Sequence, residues 1–198
     1  MADEKRFERI CSEGNLEEAK NFIKNKPHLN IQGAFCYACV RGHLKVAKWL
    51  LKVKPDIDIS QDDDWAFRFA CSNGYLNIAK WLLEVKPNIN ISQDDDWAFR
   101  FACSNGYLNI SKWLLEVKPD INISANDDWA FRFACYKGYL KLAKWLLEVK
   151  PTIDIGNIIL NNCNNEIKQW LKSLKNFDYF EETITLQEPK DCSIFCKK

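Results

Sequence analysis

The residues of this chain best equipped for chemistry are its acids and its thiols, and both recur at fixed intervals. Asp62-Asp63-Asp64, Asp94-Asp95-Asp96 and Asn126-Asp127-Asp128 are three clusters 32 residues apart. A hard-cation site needs about six oxygens converging on one point. Clusters repeated once per unit make a row instead, so neither metal binding nor carboxylate catalysis is expected of them. Cys36-x-x-Cys39 and Cys192-x-x-x-Cys196 have the outline of zinc half-sites, but no histidine stands beside either at ligand spacing. The histidines, His28 and His43, fall on separate units, and there is no nucleophile–base set or glycine-rich phosphate loop. No metal, no cofactor and no enzymatic activity are expected. Cys192-Ser-Ile-Phe has the order of a prenylation box, yet Cys196-Lys197-Lys198 follow it and the motif must be terminal. Acylation of Cys192 or Cys196 beside the basic end stays open.

The nine cysteines do not read as disulfides. Cys39, Cys71, Cys103 and Cys135 occupy one helix position in successive units. Packed helices lie ~8–10 Å apart, whereas a disulfide needs Cα atoms within ~7 Å. The ladder is expected to be reduced, buried and used for packing.

These residues sit on a repeat. Ser60–Ile91 recurs as Ser92–Ile123 with only Ala79 becoming Ser111 and Asn88 becoming Asp120, and again in outline as Ser124–Ile155. Cys11, Cys39, Cys71, Cys103, Cys135 and Cys163 are spaced 28, 32, 32, 32 and 28 residues apart, which gives six units. The boundaries are 1–31 (degenerate amino-terminal cap), 32–59, 60–91, 92–123 and 124–155 (repeats), 156–176 (degenerate carboxy-terminal cap) and 177–198 (tail). One such unit cannot bury its apolar faces alone, so the units must stack into a solenoid.

Within Ser60–Ile91 the pattern predicts a helix starting near Trp65 and stopped by Asn73-Gly74, with Asp62–Asp64 placed to cap its N-terminus. A second helix is expected over 77–85, apolar at Leu76, Ile78, Ala79, Leu82 and Leu83, and ended by Pro87. Asn88-Ile89-Asn90-Ile91 alternates polar and apolar as an extended linker. The fold class is all-α, with helix-turn-helix units joined by extended loops.

Read in order, Ala70-Cys71, Ser72-Asn73, Gly74-Tyr75-Leu76, Trp81-Leu82-Leu83 and Asn88-Ile89-Asn90 resemble the ankyrin repeat. Gly42-His43-Leu44 followed by Trp49-Leu50-Leu51 is nearer still. The family's Thr-Pro-Leu-His opening is replaced by Trp65-Ala66-Phe67-Arg68, and its helix-ending Gly-Ala by Lys86-Pro87. The Asp-Trp-Ala-Phe-Arg and Lys-Trp-Leu-Leu wording is similar to the ankyrin-array families of giant DNA viruses. The resemblance implies a protein-binding array whose concave groove would be lined by Arg41, Ser72, Asn73, Ser104, Asn105, Tyr136 and Lys137.

The acidic row (Asp62, Asp63, Asp94, Asp95, Asp127) could steer a basic partner protein, and Trp65, Trp97 and Trp129 are candidate interface anchors. Arg68, Arg100 and Arg132 are expected to pair internally with the acids. Trp49, Trp81, Trp113 and Trp145 are expected in the core. The alternative function is an adaptor whose carboxy-terminal segment recruits a ubiquitin ligase or other machinery.

Composition limits the other classes. A formal net charge of +1 supplies no field for nucleic acid, and charges break every apolar run far short of a membrane span. The charged amino terminus has no apolar signal region, which points to the cytoplasm, the host's if the chain is viral. A monomer is expected. Glu18 and Asn21 in the first unit, and Asn161 and Asn162 in the last, replace apolar residues as terminal caps require. Phe177, Tyr179 and Phe180 are candidates to dock back on the stack.

Overall fold

The computed structural model describes residues 2–24, 26, 28–158 and 160–174, and among them there is no β-strand. Helices come in pairs: α1 (Ala2–Ser12) with α2 (Leu16–Ile23), α3 (Gln32–Val40) with α4 (Leu44–Val53), and α5 (Gln61–Ser72) with α6 (Leu76–Val85). The series continues with α7 (Gln93–Ser104) and α8 (Leu108–Val117), then α9 (Ala125–Tyr136) and α10 (Leu140–Val149). Short 3₁₀ turns at Ile155–Asn157 and Leu160–Asn162 precede α11 (Asn165–Ser173). First helices pack side by side in the order α1, α3, α5, α7, α9, and each second helix packs on its own first helix. This is an all-α repeat solenoid.

Burial follows the helical period. In α5, Ala66, Phe67, Ala70 and Cys71 are fully buried against Ile78, Ala79 and Leu82 of α6. Removing a large apolar side chain from water stabilises by ~1.5–3 kcal/mol. Much of that surface is covered by a neighbouring unit: Phe35 meets Trp81 at 6.2 Å between ring centroids, Phe67 meets Trp113 at 6.3 Å, Phe99 meets Trp145 at 6.4 Å and Phe131 meets Trp170 at 6.3 Å. Each phenylalanine therefore waits for a tryptophan one unit ahead, which is why a lone repeat has no complete core.

Cys11, Cys39, Cys71, Cys103, Cys135 and Cys163 are buried, and none of them is in a disulfide. Burial pushes Cys11 and Cys103 up to about 12 and Cys163 up to about 11, and raises Cys71 and Cys135 further. Ser111, a polar replacement on this buried layer, donates to the Tyr107 carbonyl at 3.1 Å and accepts from the Cys103 thiol at 3.2 Å. A hydroxyl satisfied in this way is tolerated at full burial.

Each helix pair turns at a glycine. Gly74 has φ +90, and a Cβ there would lie 2.5 Å from Cε1 of Tyr107, the turn residue of the next unit. His43 plays that part over Gly14, with Nε2 2.9 Å from the Ser12 carbonyl, so this histidine is a packing residue. Beyond the second helices, Ile89 and Ile91 are buried while Asn88 and Asn90 are exposed.

One local expectation fails. The acidic residues do not cap the helices they precede: α5, α7 and α9 each open on a left-handed turn at 62–64, 94–96 and 126–128, and among the described residues no side chain of these turns accepts from a backbone N–H of its own helix. The carboxylates Asp64, Asp96 and Asp128 reach forward to the following loop instead, because the turn that carries them aims them away from their own helix.

At the ends, Asn21 is exposed on α2, and the first helix of the last unit shrinks to the Leu160–Asn162 turn. Ile167 and Leu171 of α11 still close the core. The expected tail, with Phe177, Tyr179, Phe180, Cys192 and Cys196, lies outside the described residues.

Candidate partner-binding face

In the three central units the acidic clusters form left-handed turns. Asp62, Asp63 and Asp64 have φ values of 53, 57 and 60, and Asp94–Asp96 and Asn126–Asp128 repeat this closely. Left-handed backbone costs a side-chain-bearing residue roughly 1–2 kcal/mol, and Asp and Asn tolerate it best because their short polar side chains bond locally. That explains why the only replacement among these nine positions is Asn126.

Arginines hold the turns by their carbonyls. Arg100 donates from Nε to the Asp95 carbonyl and from Nη2 to the Asp94 carbonyl, both at 2.8 Å. Arg68 reaches the Asp62 carbonyl at 3.1 Å and ion-pairs with Asp94 of the next unit, while Arg132 reaches the Asn126 carbonyl at 3.0 Å. Burial pulls the Arg100 guanidinium below its ordinary value, against the raising effect of the Asp95, Asp96 and Asp94 carboxylates. The same guanidinium planes lie over the next unit's tryptophan, Arg68 on Trp97 at 5.4 Å and Arg100 on Trp129 at 5.5 Å. The ladder is internal.

The third acid of each turn is also internal. Asp64 accepts from the Asn90 N–H at 3.0 Å, Asp96 from Asn122 at 2.9 Å and Asp128 from Asp154 at 3.2 Å. The first two acids behave differently. Asp62, Asp63, Asp94, Asp95 and Asp127 are exposed, and the side chains of Asp63, Asp95 and Asp127 make no hydrogen bond or ion pair among the described residues. One free carboxylate per unit thus projects beside the first helix.

On α5 the face opposite Phe67 and Cys71 carries Trp65 and Phe69, one helical turn apart. These rings join their counterparts in a continuous row: Tyr37–Trp65 at 5.8 Å, Trp65–Phe69 at 4.9 Å, Phe69–Trp97 at 5.0 Å and Trp97–Phe101 at 4.1 Å. It continues through Phe101–Trp129 at 4.9 Å and Trp129–Phe133 at 4.2 Å to Tyr136 at 6.1 Å. Trp65, Trp97 and Trp129 are half-buried, and Tyr37 is 42% exposed. The sequence reading missed Tyr37, Phe69, Phe101 and Phe133 as members of this surface. Their four-residue spacing from Gly33 and the three tryptophans was the available signal.

The other expected groove residues divide. Ser72 and Ser104 are 4% and 5% exposed, and their hydroxyls bond back to the Phe69 and Phe101 carbonyls. They line no surface, because the neighbouring first helix covers them. Asn73 and Asn105 donate to the Val40 and Ser72 carbonyls of the preceding unit, tying helix ends together at 3.0 and 2.8 Å. Arg41 and Lys137 are exposed, and Tyr136 is half-buried at the end of the ring row.

Among the described residues no group of three or more His, Cys, Asp or Glu is placed to hold a metal ion, and no helix is long and apolar enough to cross a membrane. No curated relative matches the chain significantly. The family model described as ankyrin repeats, in three copies, matches residues 7–95 and again 67–158. That match spans the same helix pairs that stack here, from the first unit to the last complete one, and the chain belongs to the ankyrin-repeat family.

Proposed function

We propose that the chain is a non-catalytic scaffold that seats a partner protein on its first-helix face. Ankyrin repeats are in general protein–protein interaction modules and typically do no chemistry. The observation that carries the reading is the ring row from Tyr37 to Tyr136, a continuous and partly exposed aromatic surface bordered by unpaired carboxylates. Aromatic residues dominate interface energetics, and a bordering row of one charge selects the partner's sign and speeds its approach. The surface proposed comprises Tyr37, Trp65, Trp97, Trp129, Tyr136, the exposed acids Asp62, Asp63, Asp94, Asp95 and Asp127, and Arg41 and Lys137 at its ends. It is read as a monomeric scaffold acting in the cytoplasm.

The test is affinity capture from cell lysate on the immobilised full chain, compared with a variant carrying Tyr37→Ser, Asp63→Asn, Asp95→Asn and Asp127→Asn. All four positions lie outside the packed core, so the variant should fold with an unchanged thermal midpoint. Proteins retained by the wild type should be lost from the variant. Equal retention by both would move the binding surface elsewhere on the molecule.

A further inference from the structure

The geometry points to a basic polyproline II segment, with Lys or Arg recurring every third residue, as the occupant of the Trp–Phe face; this inference rests on that face being the binding surface.

Three features recur once per unit along it. The first is a Trp–Phe pair, stepping 4.9 and 5.0 Å from Trp65 through Phe69 to Trp97. The second is a free carboxylate, Asp63, Asp95 or Asp127, exposed and without a hydrogen bond or ion pair among the described residues. The third is an indole N–H. Those of Trp65, Trp97 and Trp129 have no hydrogen-bond partner among the described residues, and none is sealed in the interior. A ligand that satisfies all three must present, at the packing distance of neighbouring helices, ~8–10 Å, one cation, one flat apolar group and one unused acceptor.

The three regular conformations of a peptide differ in whether they can do this. A β-strand rises ~3.3 Å per residue but alternates faces, so residues three apart point opposite ways. An α-helix returns to one face after seven residues, ~10.5 Å, but its carbonyls are consumed by its own backbone. A polyproline II helix has three residues per turn and rises ~3.1 Å each, so i, i+3 and i+6 share a face at ~9.3 Å. It makes no internal hydrogen bonds, which leaves a carbonyl per turn for each indole N–H, and proline rings suit aromatic-lined grooves. Its stiffness also lowers the ordering cost of binding. The cation preference follows from the central turns: Asp62–Asp64 with Arg68, and Asp94–Asp96 with Arg100, each carry three acids against one base.

The experiment uses the full chain and labelled peptides, read by fluorescence anisotropy at about 0.15 M salt. The probe is (Arg-Pro-Pro)₄. The controls are an isomer with its four arginines in one block, (Glu-Pro-Pro)₄, and an alanine-rich helical peptide lengthened so that it also carries four arginines, one at every seventh residue. The periodic probe should bind at least tenfold tighter than any control. Asp63→Asn/Asp95→Asn/Asp127→Asn should weaken it at least tenfold and flatten its salt dependence. Trp97→Phe, which keeps a ring and loses the N–H, should weaken it several-fold. Equal binding of the block isomer would overturn the period argument, and tighter binding of the helical peptide would overturn the conformation. If no peptide binds while the four-residue variant above still loses its captured partner, this inference fails and the face remains the binding surface. If that variant keeps its partner, the reading of the face fails as well.

Discussion

Gln32 and Asp58 exchange two hydrogen bonds: the amide Oε1 accepts from the Asp58 N–H at 3.0 Å, and Nε2 donates to the Asp58 carbonyl at 2.7 Å. Gln32 stands 32 residues before Asp64, and Asp58 stands 32 before Asn90. A neutral amide therefore makes the same loop-to-loop link that a carboxylate makes in the later units. The third acid of each turn is kept for an acceptor oxygen at that place, and its charge is incidental to the link.

The link should be visible as stability. Asp96→Ala leaves the Asn122 N–H without its partner in a part-buried site and should cost about 1–3 kcal/mol. Asp95→Ala, one residue away and exposed, loses no such bond. Urea titration of the two variants should separate them by more than 1 kcal/mol, and equal losses would remove the special role of the third acid.

Handedness of the turn gives an independent check at Asp95, which has φ 54. Glycine enters this region without a Cβ penalty, while a β-branched residue does not. Asp95→Val should destabilise by roughly 1–2 kcal/mol, and Asp95→Gly should leave the urea midpoint unchanged or raise it. A right-handed turn would reverse that order.

Two glycines should respond to alanine with opposite signs. Gly74 combines φ +90 with a Tyr107 ring that would lie 2.5 Å from an added Cβ, so Gly74→Ala strains both backbone and packing. Gly33 lies inside right-handed α3, and its Cβ would meet only the end of the flexible Glu8 side chain. Gly33→Ala should stabilise by about 0.5–1 kcal/mol through helix propensity, provided Glu8 swings aside. Thermal denaturation of both variants checks the signs.

The buried thiols should make the fold sensitive to alkali. An ordinary thiol here would titrate near 9.0, whereas burial holds Cys11 and Cys103 at about 12 and Cys36 and Cys163 at about 11. Above pH 9 the unfolded chain releases these protons and the folded chain keeps them. The unfolded state then binds fewer protons, so stability present below pH 9 is lost as pH rises, by ~1.4 kcal/mol per unit for each thiol. Urea midpoints measured from pH 8 to 10.5 should fall, and the fall should be shallower by two thiols' worth in Cys71→Ala/Cys103→Ala.

Middle and end units should differ in what a truncation costs. Trp113 is 9% exposed against Phe67, and Trp113→Ala should cost about 3–5 kcal/mol. Asn21 occupies the same place in the first unit and is exposed, so Asn21→Ala should change stability by less than about 0.5 kcal/mol. Chemical denaturation of each variant compares them directly.

The period, the helix pairs, the buried thiols and the polar caps are all legible in the chain's residue order, because each is set by the spacing of apolar residues along one helix and is repeated several times over. That order does not reveal why three acids stand together. Left-handed turns carry no helical periodicity, and the partner of Asp64 is Asn90, at the far end of its own unit. Arg68 also reaches past its own unit to Asp94 and Trp97 of the next, and Phe69 to Trp97. Ser72, exposed by its place in the repeat, is buried because the adjoining first helix closes over it. Only folding each unit and stacking it on its neighbours decides such contacts, since each joins residues far apart in the chain whose distance no local pattern encodes.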